Sequence, residues 1–178
     1  MLSELYAGSL ADAARRLEST SLSEIERLAL AQTPALNAMS ALAPRKQIHV
    51  LAEVKRASPS KGEMAEIADP AALAKTYADN GASAISVLTE ERKFKGSLAD
   101  LAAVREVVSV PLLRKDFIAN EQQILEARAV GADIILLIVA GLAENEIAKL
   151  MKFTFELGMT PFIETHSVEE LKVAIGLG

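Results

Sequence analysis

Ile134-Ile135-Leu136-Leu137-Ile138-Val139 is apolar at every position. Successive side chains of a strand point to opposite faces, so an unbroken apolar run of this length predicts a strand buried on both sides. That is the condition of a parallel sheet covered by helices, and the neighbouring segments read the same way. Strand candidates lie at Val50–Lys55, Ala84–Thr89, Pro111–Phe117, Asp133–Val139 and Pro161–Thr165. Amphipathic segments with helix punctuation separate them. Asp69 before Pro70 is an N-cap followed by proline at the first helical position, and Gly81 closes that helix. Ser97 opens a second helix, with Leu98, Leu101, Val104 and Val107 on one face. Asn120 and Glu121 open a third, which ends at Gly131. Ile147, Leu150, Met151 and Leu157 mark a fourth before Gly158. Ser167 and Glu170 read as a capping box for the last, which runs out at Gly176 and Gly178.

Strand followed by helix, five times over, predicts a parallel sheet with helices outside it. Doubly wound sheets and (β/α)8 barrels share this rhythm. Two features favour the barrel. No G-x-G-x-x-G follows the first strand, as a dinucleotide-binding sheet would show. Charged residues also sit at the C-terminal ends of several different strands, where barrels assemble their chemistry. Before the first strand, residues 1–45 read as a helical extension. Leu5, Leu10, Ala13, Ala14 and Leu17 recur at near-helical spacing, and Ser21 with Glu24 starts a second helix that Pro34 stops. The expected organisation is an extension over 1–45 and one partial barrel over 46–178.

The chain has 178 residues, 51% of them hydrophobic and 24% charged, with a formal charge of −5. This is one globular domain with material for a core and no basic stretch for nucleic acid. No apolar run reaches the roughly 20 residues of a spanning helix, so no membrane partner is expected. Absence of cysteine removes thiolate metal sites and cysteine nucleophiles, and fits a cytoplasmic setting.

The richest chemistry lies in Ile48–Gly62, IHVLAEVKRASPSKG. Glu53 and Lys55 share one strand face, and the Ser-Pro-Ser-Lys-Gly turn after them cannot continue the strand. An acid and a base at a strand end, followed by a polar loop, read as one wall of an active site or as a solvated edge pair. In Pro111–Phe117, Lys115 and Phe117 share one face, with Arg114 and Asp116 on the other. An inward Lys115 suits proton donation or Schiff-base chemistry; an outward one snorkels to the rim. Glu164, ending the fifth strand, is a second acid/base candidate or a capping carboxylate. Leu136 and Ile138 share a face that walls a ring or simply packs, and Phe94 is a lid contact or a loop anchor. His49 and His166 have no second ligand at metal spacing and are read as structural.

AEVKRASPSKG, SVLTEERKFKGS, LLRKDF, GADIILLIV and the Glu of PFIET, in this order, resemble the indole-3-glycerol phosphate synthase family along essentially the whole chain. The resemblance implies ring closure of 1-(2-carboxyphenylamino)-1-deoxyribulose 5-phosphate with loss of carbon dioxide and water, in tryptophan biosynthesis. Lys115 then corresponds to the general acid on the ribulose carbonyl and Glu164 to the acid/base of dehydration. Glu53 and Lys55 position and polarise the reacting groups. Ser58 corresponds to a phosphate-loop serine, and Phe94, Phe117, Leu136 and Ile138 to an apolar clamp on the anthranilate ring. No metal and no organic cofactor is implied, and proton traffic alone suits the chemistry. Other phosphosugar barrels and a non-catalytic assembly module stand as alternatives. An isomerase with a cysteine base has no cysteine here, and a Schiff-base aldolase would trap substrate on Lys115.

The chain ends at Gly178, where the family's sixth strand begins, so the expectation is five βα units, an incomplete site and a chain inactive by itself. Open edges at the first and fifth strands predict self-association, unless the N-terminal helices fold across the gap.

Overall fold

The computed structural model describes residues 1–178. In chain order the elements are α1 (Leu2–Arg16), α2 (Leu22–Ala31), α3 (Ala38–Ala41), β1 (Leu51–Val54), β2 (Ala57–Ser58), β3 (Gly62–Glu63), α4 (Pro70–Asp79) and β4 (Ala84–Leu88). They continue with α5 (Leu98–Arg105), β5 (Leu112–Lys115), α6 (Glu121–Ala129), β6 (Ile134–Ile138), a 3₁₀ turn (Val139–Gly141), α7 (Glu144–Glu156), β7 (Thr160–Glu164) and α8 (Val168–Gly176). Strands β1, β4, β5, β6 and β7 form one parallel sheet in that order. All five expected strands are present, each within two residues of its expected ends. The caps also fall where the sequence puts them: Asp69, Ser97, Asn120 and Ser167 each accept a first-turn N–H, and Gly81, Gly131 and Gly158 take positive φ. A two-stranded ribbon, β2 with β3, replaces the plain turn expected after β1.

The three middle strands, β4, β5 and β6, are buried on both faces, which is why β6 is apolar throughout. On the outer face Val54, Ile85, Val87, Leu112, Ile135 and Leu137 pack against the apolar sides of α4, α5, α6 and α7. On the inner face Ala84, Leu113, Ile134, Leu136 and Ile138 form a second cluster. Fully burying such side chains contributes about 1.5–3 kcal/mol each, so neither face tolerates a slip in register. Five βα units curled this way are part of a (β/α)8 barrel, with β1 and β7 each unpaired on one side.

The N-terminal helices meet this partial barrel at three places. Helix α2 lies on α6, with Ile25, Ala29 and Leu125 buried between them. The segment around α3 passes under the N-terminal ends of the strands. There the Leu36 N–H donates to Asp133 (2.7 Å), and Ala38 joins the inner cluster. Helix α1 crosses the C-terminal ends, where Tyr6 meets the Phe117 ring edge-on at 5.6 Å and Gln122 donates to the Ala13 carbonyl (2.7 Å). None of them covers the open flanks. Leu51 and Phe162, inner residues of the two edge strands, remain exposed. Helix α8 buries no residue and leaves Val168, Leu171 and Ile175 exposed.

Candidate active site

Parallel pairing brings the charged strand ends together. Glu53 lies opposite Ser86 and Leu88 opposite Lys115, so the inner face of β1 looks across β4 at that of β5. Glu53 bridges two lysines there: Oε1 is 2.5 Å from Lys55 Nζ and Oε2 is 3.3 Å from Lys115 Nζ. The Ser86 hydroxyl donates to Oε2 at 3.4 Å. Burial works to raise the Glu53 carboxyl, but the hydrogen bond from Lys55 and the charges of Lys115 and Lys55 outweigh it, and the group is held below the usual glutamate range. Glu53 is therefore a fixed anion, and both ammonium groups stay aimed into the concave side.

The orientation of Lys115 follows from its neighbours. Arg114 turns to the outer face, as alternation requires, and meets Asp116, one residue past the strand end, in a buried network. Asp116 Oδ1 accepts from the Ser9 hydroxyl (2.8 Å) and the Phe117 N–H (2.8 Å); Oδ2 accepts from Thr89 (2.7 Å) and Arg114 Nη2 (2.9 Å). Gln123 Nε2 donates to Ser9 from α6 (2.8 Å). The charge of Arg114 and these hydroxyls hold Asp116 below its ordinary range although burial opposes it. One residue earlier and one later, Lys115 and Phe117 are consequently fixed toward the cavity.

Phe94 is set by a second buried acid. The Glu90 carboxylate accepts the N–H groups of Arg92 (3.1 Å), Lys93 (2.7 Å) and Phe94 (2.9 Å), closing the loop after β4. Gly96 is required at the loop's end, because a Cβ there would meet the Leu88 carbonyl. The Phe94 and Phe117 rings lie 6.1 Å apart, tilted at 44°.

Glu164 stands on the far edge strand, opposite Ile138. Its polar partner is His166, whose Nε2 is 3.2 Å from Oε1. Behind it Tyr6 is buried with no hydrogen-bond partner for its hydroxyl, its ring fitted where Gly141 has no side chain. Burial, reinforced by the charge of Glu164, pushes the Tyr6 phenol up to about 12.

All nine expected site residues line one cavity of about 700 Å³: Glu53, Lys55, Ser58, Phe94, Lys115, Phe117, Leu136, Ile138 and Glu164. Ser58 sits at its rim in the β2–β3 ribbon, where its hydroxyl accepts the Lys61 N–H at 3.3 Å. Met1, Leu5 of α1, Asp116 and His166 border the same cavity without having been expected there. His166 corrects the purely structural reading of both histidines, and the signal was present: it follows Glu164 by two, the spacing that pairs Lys55 with Glu53. His49 does pack structurally, between Ser83 Oγ (2.9 Å) and the Ala43 carbonyl (2.7 Å). Nothing in the local sequence announces Met1 and Leu5, whose position depends on how α1 docks.

Parallel strands with helices outside, and acids and bases gathered at the C-terminal strand ends over an apolar pocket, define a (β/α)8-barrel enzyme site. The family model described as indole-3-glycerol phosphate synthase matches residues 2–178. Curated proteins of that name align along nearly the whole chain. The one from Leifsonia xyli subsp. xyli is 57% identical over 178 residues, 100% of this chain and 68% of the relative. Those from Arthrobacter sp. (54% over 179 residues, 98% and 66%) and Rhodococcus opacus (53% over 178 residues, 100% and 66%) follow. The chain belongs to the indole-3-glycerol phosphate synthase family, and it spans about two thirds of the length of these relatives.

Proposed function

We propose that this chain carries the lysine–glutamate part of a carbon–carbon lyase site, which closes the indole ring of 1-(2-carboxyphenylamino)-1-deoxyribulose 5-phosphate in the cytoplasm. The supporting observation is Glu53 held between Lys55 and Lys115, facing Glu164 across a slot walled by Phe94, Phe117, Leu136 and Ile138. The slot takes the anthranilate ring, and Ser58 at the rim takes part of the phosphate. Lys115 protonates the ribulose carbonyl as the ring carbon attacks. Lys55 polarises the carboxylate that leaves as carbon dioxide, and Glu53 keeps the two ammonium groups apart and aimed. Glu164, on the opposite strand, handles the proton of the dehydration. A cavity of this size and mixed lining is ordinary for a small phosphosugar conjugate.

The test is turnover of this substrate by the chain alone and by the chain supplied with the C-terminal third of the Leifsonia xyli relative, each with Lys115→Ala beside it. General-acid help is worth roughly 10²–10⁴-fold, so Lys115→Ala should lower kcat by at least the smaller factor while circular dichroism stays unchanged. Near-normal turnover by the variant refutes the general-acid role. Borohydride trapping of a substrate imine on Lys115 would assign the site to the aldolases instead.

A further inference from the structure

The cavity has two poles of different chemistry. At the β1 edge Glu53 is neutralised by two lysines. At the β7 edge Glu164 has no lysine or arginine within ion-pair distance, and its nearest titratable neighbour is the imidazole of His166, with Nε2 3.2 Å from Oε1. Both residues line the cavity, Glu164 from the end of β7 and His166 from the bend just beyond it, and Ser167 caps α8. Glu170, in the first turn of α8, reaches past that cap: its Oε2 accepts the backbone N–H of His166 at 2.8 Å and lies 3.7 Å from Nδ1. The ring thus stands between two carboxylates, one at each nitrogen. Exposure rises outward from Glu164 (31%) to His166 (60%), so the imidazole offers the acid a more solvent-open nitrogen than its own half-buried carboxyl. Around the same cavity stand the Tyr6 phenol of α1 behind Glu164, the Met1 ammonium just before α1, which pairs with Glu4, Lys61 of the loop between β2 and β3, and the Glu53 group with its two lysines.

We propose that His166 is the proton relay of this site, carrying the proton of each turnover between Glu164 and solvent while Glu170 anchors it from outside. The inference rests on the lyase reading, in which Glu164 gives a proton to the hydroxyl that leaves as water, while Lys115 regains from the ring-closed intermediate the proton it lent to the carbonyl. A carboxylate that leaves as carbon dioxide and a hydroxyl that leaves as water take up one proton per turnover. Nδ1 takes that proton from water beside Glu170, Nε2 passes one to Glu164, and Glu164 returns to the carboxylic acid. The ring is left as the other tautomer and is restored by exchange with water, which its exposure permits. Lys115 and Lys55 stand at the other pole, tied to Glu53, and are not placed to do this.

Two measurements test the relay, one of them independent of activity. In the 178-residue chain, side-chain ¹⁵N spectra resolve the tautomers of its two histidines. Glu164→Gln should redistribute the Nδ1–H and Nε2–H forms of His166 and leave His49 unmoved. A His166 spectrum indifferent to Glu164→Gln overturns the proposal. In the turnover assay, with the C-terminal third supplied, His166→Ala should lower kcat about 10–10²-fold, the lower part of the range for proton-transfer catalysis. KM should change little, and free imidazole should restore the rate with saturation. Glu164→Gln should be slow and not rescued. If His166→Ala turns over at the parental rate while Glu164→Gln is slow, the relay is wrong and the lyase reading stands. If the parental protein does not turn over the carboxyphenylamino substrate at all, both fall.

Discussion

Replacing Asp116 tests how the site is held more directly than replacing any residue inside the cavity. Asp116 is 5% exposed and Arg114 fully buried, so the pair sits in a low dielectric with hydrogen bonds on every side. Asp116→Ala leaves Arg114 with Thr89, the Gln123 carbonyl and Glu126 at 3.5 Å as its polar company. Removing one partner of a buried ion pair costs about 3–5 kcal/mol. The Ser9 and Thr89 hydroxyls and the Phe117 N–H lose their acceptor as well, but these losses share one network and do not add. Asp116→Asn keeps an oxygen on one side and loses the charge, so about 1.5–3 kcal/mol, the worth of a charged hydrogen bond, is expected. Against a domain stability of about 5–15 kcal/mol the first variant is close to unfolding and the second is measurable. Urea unfolding followed by circular dichroism reads both, as a lower midpoint at unchanged slope. The pH dependence has a definite sign. The folded carboxyl is depressed, so its contribution is present above the unfolded aspartate value and is lost as pH falls through the folded one. The gap between parent and Asp116→Asn should therefore narrow on acidification. A loss below about 1 kcal/mol for Asp116→Ala, where buried pairs normally cost several, would show that Arg114 is satisfied without it and sink the account.

Other outcomes follow from single contacts. Gly141→Ala places a Cβ 2.6 Å from Cζ and 2.7 Å from Oη of Tyr6, so a loss of about 1–3 kcal/mol is expected by thermal unfolding; Tyr6→Leu in the same chain should relieve it, and an unchanged Tm refutes the packing argument. Glu90→Gln removes the charge that gathers three N–H groups, so amide exchange across residues 92–96 should accelerate while β4 stays protected. Finally, we propose that the isolated chain self-associates through the free edges of β1 and β7 and the exposed apolar side of α8. A monomeric light-scattering mass at micromolar concentration would contradict this.

What the sequence disclosed depended on the range of the interaction. Strands β4, β5 and β6 were legible because burial on both faces leaves an unbroken apolar signature, and the helix starts because a cap acts within three residues. Glu53 with Lys55, and Lys115 with Phe117, were legible because alternation is strict. The four residues of α3 are too few for any period to register, yet Ala38 closes the inner cluster. Ribbon β2–β3 has two residues per strand and reads as a turn. Tyr6 and Ser9 look like ordinary members of an amphipathic helix; that one faces Glu164 and the other Asp116 depends on contacts more than a hundred residues apart, which local patterning does not carry.

The unpaired flanks have a consequence for the chemistry as well as for association. Glu53 on one outermost strand, with Lys55 just past its end, and Glu164 on the other, with His166 just past its end, flank Lys115 of the central strand. The two groups are the tips of a calliper whose body is the sheet, and their separation is set by how tightly the strands between them coil. Whatever pairs with β1 and β7 therefore fixes the working gap between acid and base. Closing the ring of strands is, in that sense, an adjustment of reach across the cavity.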